Sequence, residues 1–229
     1  MQERFIRVPR TARYHVLGDP ATARMVWVVL HGYGQLARFF LNKFEGLEDG
    51  LLIAAPEGLS RFYLDAQHQR VGATWMTRED REHEIGDQLS YLDALAASLL
   101  DGCPRATGLG VLGFSQGVAT ACRWTALGKA NAQHLVLWGG SMPPDLDRSL
   151  MRERWGGSMP PDLDHGLMRQ RWGDMQVHLV QGEKDELVPE EVVRANAAIL
   201  QRAQVEHAVH HHAGGHALDA VLLGRLLVH

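Results

Sequence analysis

Residues 107–128 read TGLGVLGFSQGVATACRWTALG, an apolar run that passes through Gly113-Phe114-Ser115-Gln116-Gly117 into a helical pattern. The run 107–114 predicts a buried strand, and Val118, Ala119, Cys122 and Leu127 predict a helix over 115–128. Composition alone gives about 0.08 accidental matches to G-x-S-x-G in a chain like this one, and the strand–turn–helix context makes the match far more specific. Flanking glycines permit a strained turn that lifts the Ser115 hydroxyl off the sheet edge. The new helix then aims backbone N–H groups at any negative charge developing there. The bland alternative is a solvated serine on a surface turn.

Apolar runs and helical patterns alternate on both sides of this segment, as parallel strands with crossover helices do. MVWVVLH (25–31), LLIAAP (51–56), HLVLWG (134–139), QVHLVQG (176–182) and VEHAVHH (205–211) predict strands covered on both faces. Residues 4–8 and 12–17 alternate more and carry Arg, which predicts an edge hairpin. Helices are expected at 35–45, 81–100, 189–203 and 216–227. The segment 81–100 is the clearest, with Ile85, Leu89, Leu92, Leu95, Ala96 and Leu99 at spacings of three and four. No Gly/Ser- or Pro-rich linker divides the chain, so 1–229 reads as one α/β domain with a mainly parallel sheet. The connection 57–80 has no clear period but holds Phe62, Tyr63 and Trp75; it is expected to wrap over the carboxyl edge of the sheet.

A serine hydroxyl is a weak nucleophile until a base takes its proton, so a His and an acid are expected at other strand ends. GEKDELVP (182–189) places Asp185 on the loop after the strand 176–181. Its rivals are Glu183, Glu186, Asp174, which precedes the strand, and the repeated Asp145, Asp147, Asp162 and Asp164. VEHAVHHHAGGHAL (205–218) holds five of the chain's 13 His. Clustered His can bind zinc, but neighbouring strand positions face opposite ways and no acid or Cys joins them at ligand spacing, so no metal is expected. His216 stands apart: it follows Gly214-Gly215 and lies on the post-strand loop. His212 is the nearest rival; His207, His210 and His211 read as strand or surface residues. HGYG (31–34), after the strand 25–30, is by itself a glycine turn.

Taken together, HGYG, GFSQG, GEKDELVP and GGHAL occur in an order that resembles the α/β-hydrolase superfamily. Within it the chain is most similar to the phospholipase/carboxylesterase branch, which includes acyl-protein thioesterases. The resemblance spans about 25–137 and 172–228, and 56–65 and 72–80 are similar to bacterial carboxylesterases. It implies Ser115 as nucleophile, Asp185 as orienting acid and His216 as base, with the N–H groups of Tyr33 and Gln116 facing the oxyanion. The implied activity is hydrolysis of small to medium acyl esters, with no cofactor. Acyl thioesters or lysophospholipids are the alternative substrates, and a hydrolase-fold binding or receptor protein with slow turnover is the non-enzymatic alternative. HGYGQ stands where this branch often has HGLGD, which puts Tyr33 at the substrate's edge. Trp75, Trp138 and Met142 are the other candidate pocket residues.

Bulk composition excludes several classes. The 229 residues are 45% hydrophobic and 22% charged, with a formal net charge of −4. That leaves no basic excess to follow a nucleic-acid backbone. Cys103 and Cys122 cannot form a disulfide framework, and the charged start MQERFIRVPRTARYHV has no signal-peptide core, so a cytoplasmic location is expected. No run is long and apolar enough to span a membrane.

One local excess remains. WGGSMPPDLDRSLMRER (138–154) and WGGSMPPDLDHGLMRQR (155–171) agree at 14 of 17 positions. Two units are too few for a solenoid, so this reads as a tandem duplication within one loop. In 138–174, Ser and Pro-Pro predict helix starts, and Gly156-Gly157 and Pro160-Pro161 break a continuous helix. Two short helices are expected, with stripes of Leu146, Leu150, Met151, Trp155 and Leu163, Leu167, Met168, Trp172. The segment leaves a strand at its carboxyl end. It is expected to serve as a lid, as a contact in a homo-oligomer (a dimer first), or as a tolerated loop.

Overall fold

The computed structural model describes residues 1–146 and 165–228. Its main sheet is built from seven strands, β1 (Tyr14–Leu17), β2 (Met25–Leu30), β3 (Leu51–Pro56), β6 (Gly108–Phe114), β7 (His134–Trp138), β8 (Gln176–Gly182) and β9 (His207–His212). Across the sheet they lie in the order β1-β3-β2-β6-β7-β8-β9. Every pair is parallel except β1 with β3. The helices are α1 (Ala37–Leu41), α2 (Arg81–Gly102), α3 (Gln116–Leu127), α4 (His165–Trp172), α5 (Glu190–Arg202) and α6 (Ala220–Leu227).

Period-two alternation divides the core into two layers. Val26, Val28, Leu30, Leu109, Val111, Leu135 and Leu137 face α2, α3, α4 and α5 in one cluster. Trp27, Val29, Ile53, Leu112, Val136 and Trp138 face α1 and α6 in the other. A parallel sheet covered on both sides needs strands that are apolar throughout, which is how these segments read.

The edge differs from the sequence expectation. Residues 4–8 form no strand; Phe5, Ile6 and Val8 are exposed, and β1 joins the sheet alone, antiparallel to β3, rather than as half of a hairpin. A hairpin appears instead inside 57–80, where β4 (Ser60–Tyr63) pairs antiparallel with β5 (Val71–Thr74). Its arms are four residues each, too short for alternation to register. The loop between them is shaped by the Asp65 carboxylate, which accepts the Gln69 and Arg70 N–H groups at 3.0 and 2.7 Å. The last helix begins at Ala220, not at His216: the Asp219 carboxylate caps it by accepting the Leu222 N–H at 2.9 Å.

Of the two helices expected in 138–174, the second is present as α4, whereas the first falls on residues 147–164, outside the described set, apart from a single 3₁₀ turn at Pro144–Leu146. Met142 and Leu146, from the first repeat unit, are buried in the same cluster as Met168 from the second and Trp172 just after it. Residues from the start of the first unit and from the end of the second thus pack into one core. Deleting 147–163 joins Leu146 to Asp164 with the unit's own sequence and removes none of these four residues. That deletion is expected to change stability by less than about 1 kcal/mol, because stability depends only weakly on the length of chain between two fixed points. Thermal unfolding checks it, and the solution mass of the deleted protein tells whether the segment also joins subunits.

Candidate active site

Ser115 caps the junction of β6 and α3 with φ 55° and ψ −116°, a conformation that non-glycine residues rarely adopt. The turn is this tight because its glycines let backbones meet. A methyl group on Gly113 would lie 2.4 Å from the Gly117 carbonyl oxygen, and one on Gly117 would lie 2.2 Å from that of Leu30. Ser115 is held from below by its N–H, which donates to the Trp138 carbonyl at 2.9 Å.

Three loops bring three side chains into one line. His216 Nε2 lies 2.9 Å from Ser115 Oγ, and His216 Nδ1 lies 2.8 Å from Asp185 Oδ2. The other oxygen, Asp185 Oδ1, accepts the Leu187 and Val188 N–H groups, both at 2.9 Å. With a carboxylate facing Nδ1, the ring proton sits there and the Nε2 lone pair faces the serine hydroxyl. Asp185 is buried and His216 nearly so, so the pair works in a low dielectric. The rivals lie elsewhere: His212 is buried with Nδ1 accepting the Gly214 N–H, and His211 pairs with Glu190 on the surface.

Opposite Ser115 stands the loop after β2. Gly32 packs against the serine, and its N–H is already taken by Gln35 Oε1 at 3.0 Å. Among the described residues no internal hydrogen bond uses the N–H of Tyr33 or of Gln116. Two free donors therefore flank the serine, while the Gln116 side chain anchors the helix start by accepting from the Trp75 N–H at 3.2 Å and donating to the Met76 carbonyl at 3.1 Å.

The loop itself rests on a buried histidine. His31 Nε2 accepts the Gly58 N–H at 3.0 Å, so Nδ1 carries the proton and donates to the Gly32 carbonyl at 2.8 Å. The Trp75 indole N–H donates to the His31 carbonyl at 2.8 Å. Next to it, Glu57 is buried and accepts from Arg61 at 2.6 Å, Arg13 at 2.7 Å and the Ala37 N–H at 3.3 Å. Burial pushes its carboxyl up, but the hydrogen bonds and charges of Arg61 and Arg13 outweigh that and hold it below the usual range. Gln35, Glu57 and the Gln116 side chain are supports that no spacing in the sequence signals.

Of the expected pocket residues, only Tyr33 is exposed, its ring 5.0 Å from that of Phe62. Trp75, Trp138 and Met142 are core residues, each about 1–5% exposed. They brace the site instead of lining it. The Trp138 indole N–H donates to the Ala217 carbonyl at 3.0 Å, fixing the loop that carries His216. The Met142 N–H donates to Asn196 Oδ1 at 3.0 Å, and Asn196 Nδ2 donates to the Gly140 carbonyl at 2.9 Å. Indole and thioether are as useful for filling a core as for a pocket, which is why residue type alone misplaced them.

Burial also sets an acid limit. It lowers the pKa of His31, His134, His178 and His210, the last two facing each other at 3.0 Å so that both cannot be charged. Their unfolded value is about 6.5. Below it the unfolded chain binds the extra protons, so the stability these rings contribute is complete above pH ~6.5 and is lost as pH falls toward their lowered folded values. Melting temperature is expected to drop steadily between pH ~7 and pH ~5, and His178→Phe is expected to flatten that slope.

Among the described residues no group of three His, Cys, Asp or Glu is placed to hold a metal ion, and no helix is long and apolar enough to cross a membrane. Solved structures share the architecture. The carboxylesterase from Mesorhizobium loti superimposes with TM-score 0.68 at 16% identity, covering 95% of this chain and 94% of that one. The Zea mays acyl-protein thioesterase 2 gives 0.67 at 21%, covering 95% and 98%. Esterase PE8 gives 0.64 at 18%, covering 95% and 100%. No curated protein matches the chain. Residues 22–218, which carry all the loops described above, match the family model described as "Serine hydrolase (FSH1)". The chain belongs to the FSH1 serine hydrolase family.

Proposed function

We propose that this protein is a serine esterase that hydrolyses small to medium acyl esters, with Ser115, His216 and Asp185 as its catalytic residues. The observation that carries this reading is the unbroken line from Ser115 Oγ through His216 to Asp185 Oδ2, at 2.9 and 2.8 Å. His216 Nε2 takes the Ser115 proton as the oxygen attacks the ester carbonyl. The Tyr33 and Gln116 N–H groups receive the oxyanion, a contribution of about 3–4 kcal/mol for each donor. His216 then protonates the departing alkoxide, and Asp185 stabilises the imidazolium in between. Water, activated by the same imidazole, releases the acyl group and restores Ser115.

The same steps serve an acyl thioester, whose thiolate leaves more readily. The chain's fold likeness to both carboxylesterases and a thioesterase supports keeping the two substrate classes side by side. A fluorophosphonate probe reads the nucleophile directly. Intact-mass analysis is expected to show one adduct, mapped to Ser115. Labelling at another residue, or none at neutral pH, would remove the assignment.

A further inference from the structure

Beside the proposed active site lies a half-open cleft of about 550 Å³, lined in part by Gly34, Gln35, Phe40 and Leu64. Three further lining residues are cations, Arg38, Lys43 and Arg70, and among the described residues no acid lines it. In a chain of net charge −4 such a one-signed lining is a local feature, not a reflection of bulk composition. Asp65, next to the lining residue Leu64, accepts the Gln69 and Arg70 backbone N–H groups and also interacts with the Arg70 charge. Arg38 is held with its guanidinium 4.3 Å above the Phe39 ring, which limits its freedom before any ligand arrives.

Two connections join the cleft to Ser115. Gly34 and Gln35 follow directly after Tyr33, so one wall begins within about 7 Å of backbone from that N–H. They are fixed there because the Gly34 N–H donates to the Ala73 carbonyl at 2.9 Å, and the Ala73 N–H to that of Gln35 at 3.3 Å. The floor residue Phe40 stacks on Phe114 with centroids 6.0 Å apart, and Phe114 lies 4.9 Å from the His216 ring. Beside Gly34 and Gln35, the cleft offers Leu64 and the three cations to a ligand.

We infer that this cleft binds an anionic group, a carboxylate or a phosphate, at one end of the ester substrate, so that the preferred substrates are charged esters. The inference rests on the esterase reading for its kinetics, and the binding measurement below does not. The expected result is a higher kcat/KM for aryl monoesters of succinic, adipic or sebacic acid than for aryl esters of the matching monocarboxylic acids. A second arm compares acylglycerol phosphate with neutral acylglycerol, which separates an anion on the acyl side from one on the alcohol side. In the combined variant Arg38→Gln, Lys43→Gln, Arg70→Gln the charged-to-neutral ratio is expected to fall by about tenfold or more, as three modest exposed pairs are lost together. Added salt is expected to lower the ratio in the unsubstituted protein and not in the variant.

A ratio near one in both arms that the triple substitution leaves unchanged overturns the cleft assignment while leaving the esterase reading intact. If no ester is turned over, the esterase reading fails instead. Calorimetry of adipate and of glycerol phosphate with both proteins then decides the cleft. Weaker binding to the triple variant by about tenfold supports it, and equal affinity overturns it.

Discussion

Ser115→Ala is expected to lower kcat on an activated aryl ester by about 10⁵-fold or more, the scale on which serine hydrolases lose rate when the nucleophile is removed. The substitution deletes the one oxygen that His216 faces at 2.9 Å and leaves His216, Asp185 and the two free N–H donors where they are. Any residual rate then comes from the oxyanion donors and from binding. Stability offers an independent check on the geometry. The alanine variant must still hold φ 55° at the elbow, so melting should hardly change, whereas Ser115→Gly relieves the strain and is expected to raise stability by about 1 kcal/mol with the same loss of rate. Turnover by the Ser115→Ala protein within about tenfold of the unsubstituted one would displace Ser115 from the mechanism.

Gly117→Ala is the second large effect, and it acts through backbone. The added methyl would sit 2.2 Å from the Leu30 carbonyl oxygen and 2.9 Å from that of His31, and neither can turn away as a side chain tip could. The start of α3 must therefore back off from the end of β2. Overpacking of this kind costs about 3 kcal/mol, or roughly 6–12 °C in melting temperature for a chain of this size. The displacement also spreads the two N–H donors, Gln116 on one side and Tyr33 on the other. A shift of about 1 Å is expected to lower kcat about 10²-fold beyond any loss of folded protein. Gly86→Ala makes the control, because it lies inside α2 with open space around it and is expected to be neutral or slightly stabilising. Equal melting temperatures for the two variants would mean that the elbow is looser than its backbone distances state.

What could be read from the chain alone follows the strength of its periodic signals. Strands β2, β3, β6 and β8 are long apolar runs whose ends fall within a residue or two of expectation, because burial on both faces leaves no other residue type acceptable. Ser115 and Asp185 follow such runs, whereas His216 follows β9, a His-rich edge strand of mixed exposure, and is set apart instead by Gly214-Gly215. The hairpin of β4 and β5 escaped because its register is set by a tertiary anchor, Gly34 with Ala73, and by the local Asp65 turn, and neither leaves a pattern in four-residue arms. The supports Gln35, Glu57 and Asn196 were invisible for a related reason. A polar side chain that satisfies a distant N–H looks in sequence like any solvated one. The misplacement of Trp75, Trp138 and Met142 shows the converse: bulky residues near a site can serve it by holding loops from behind.

The 17-residue repeat between β7 and α4 has a consequence for how the chain can be altered. Met142 and Leu146 come from the start of one unit, Met168 from the end of the unit that follows it, and Trp172 from the position just beyond. Because the two units agree at 14 of 17 positions, removing or adding one whole unit leaves the sequence in register at both junctions. A change of length in steps of 17 between β7 and α4 is therefore expected to leave Ser115, His216 and Asp185 in place.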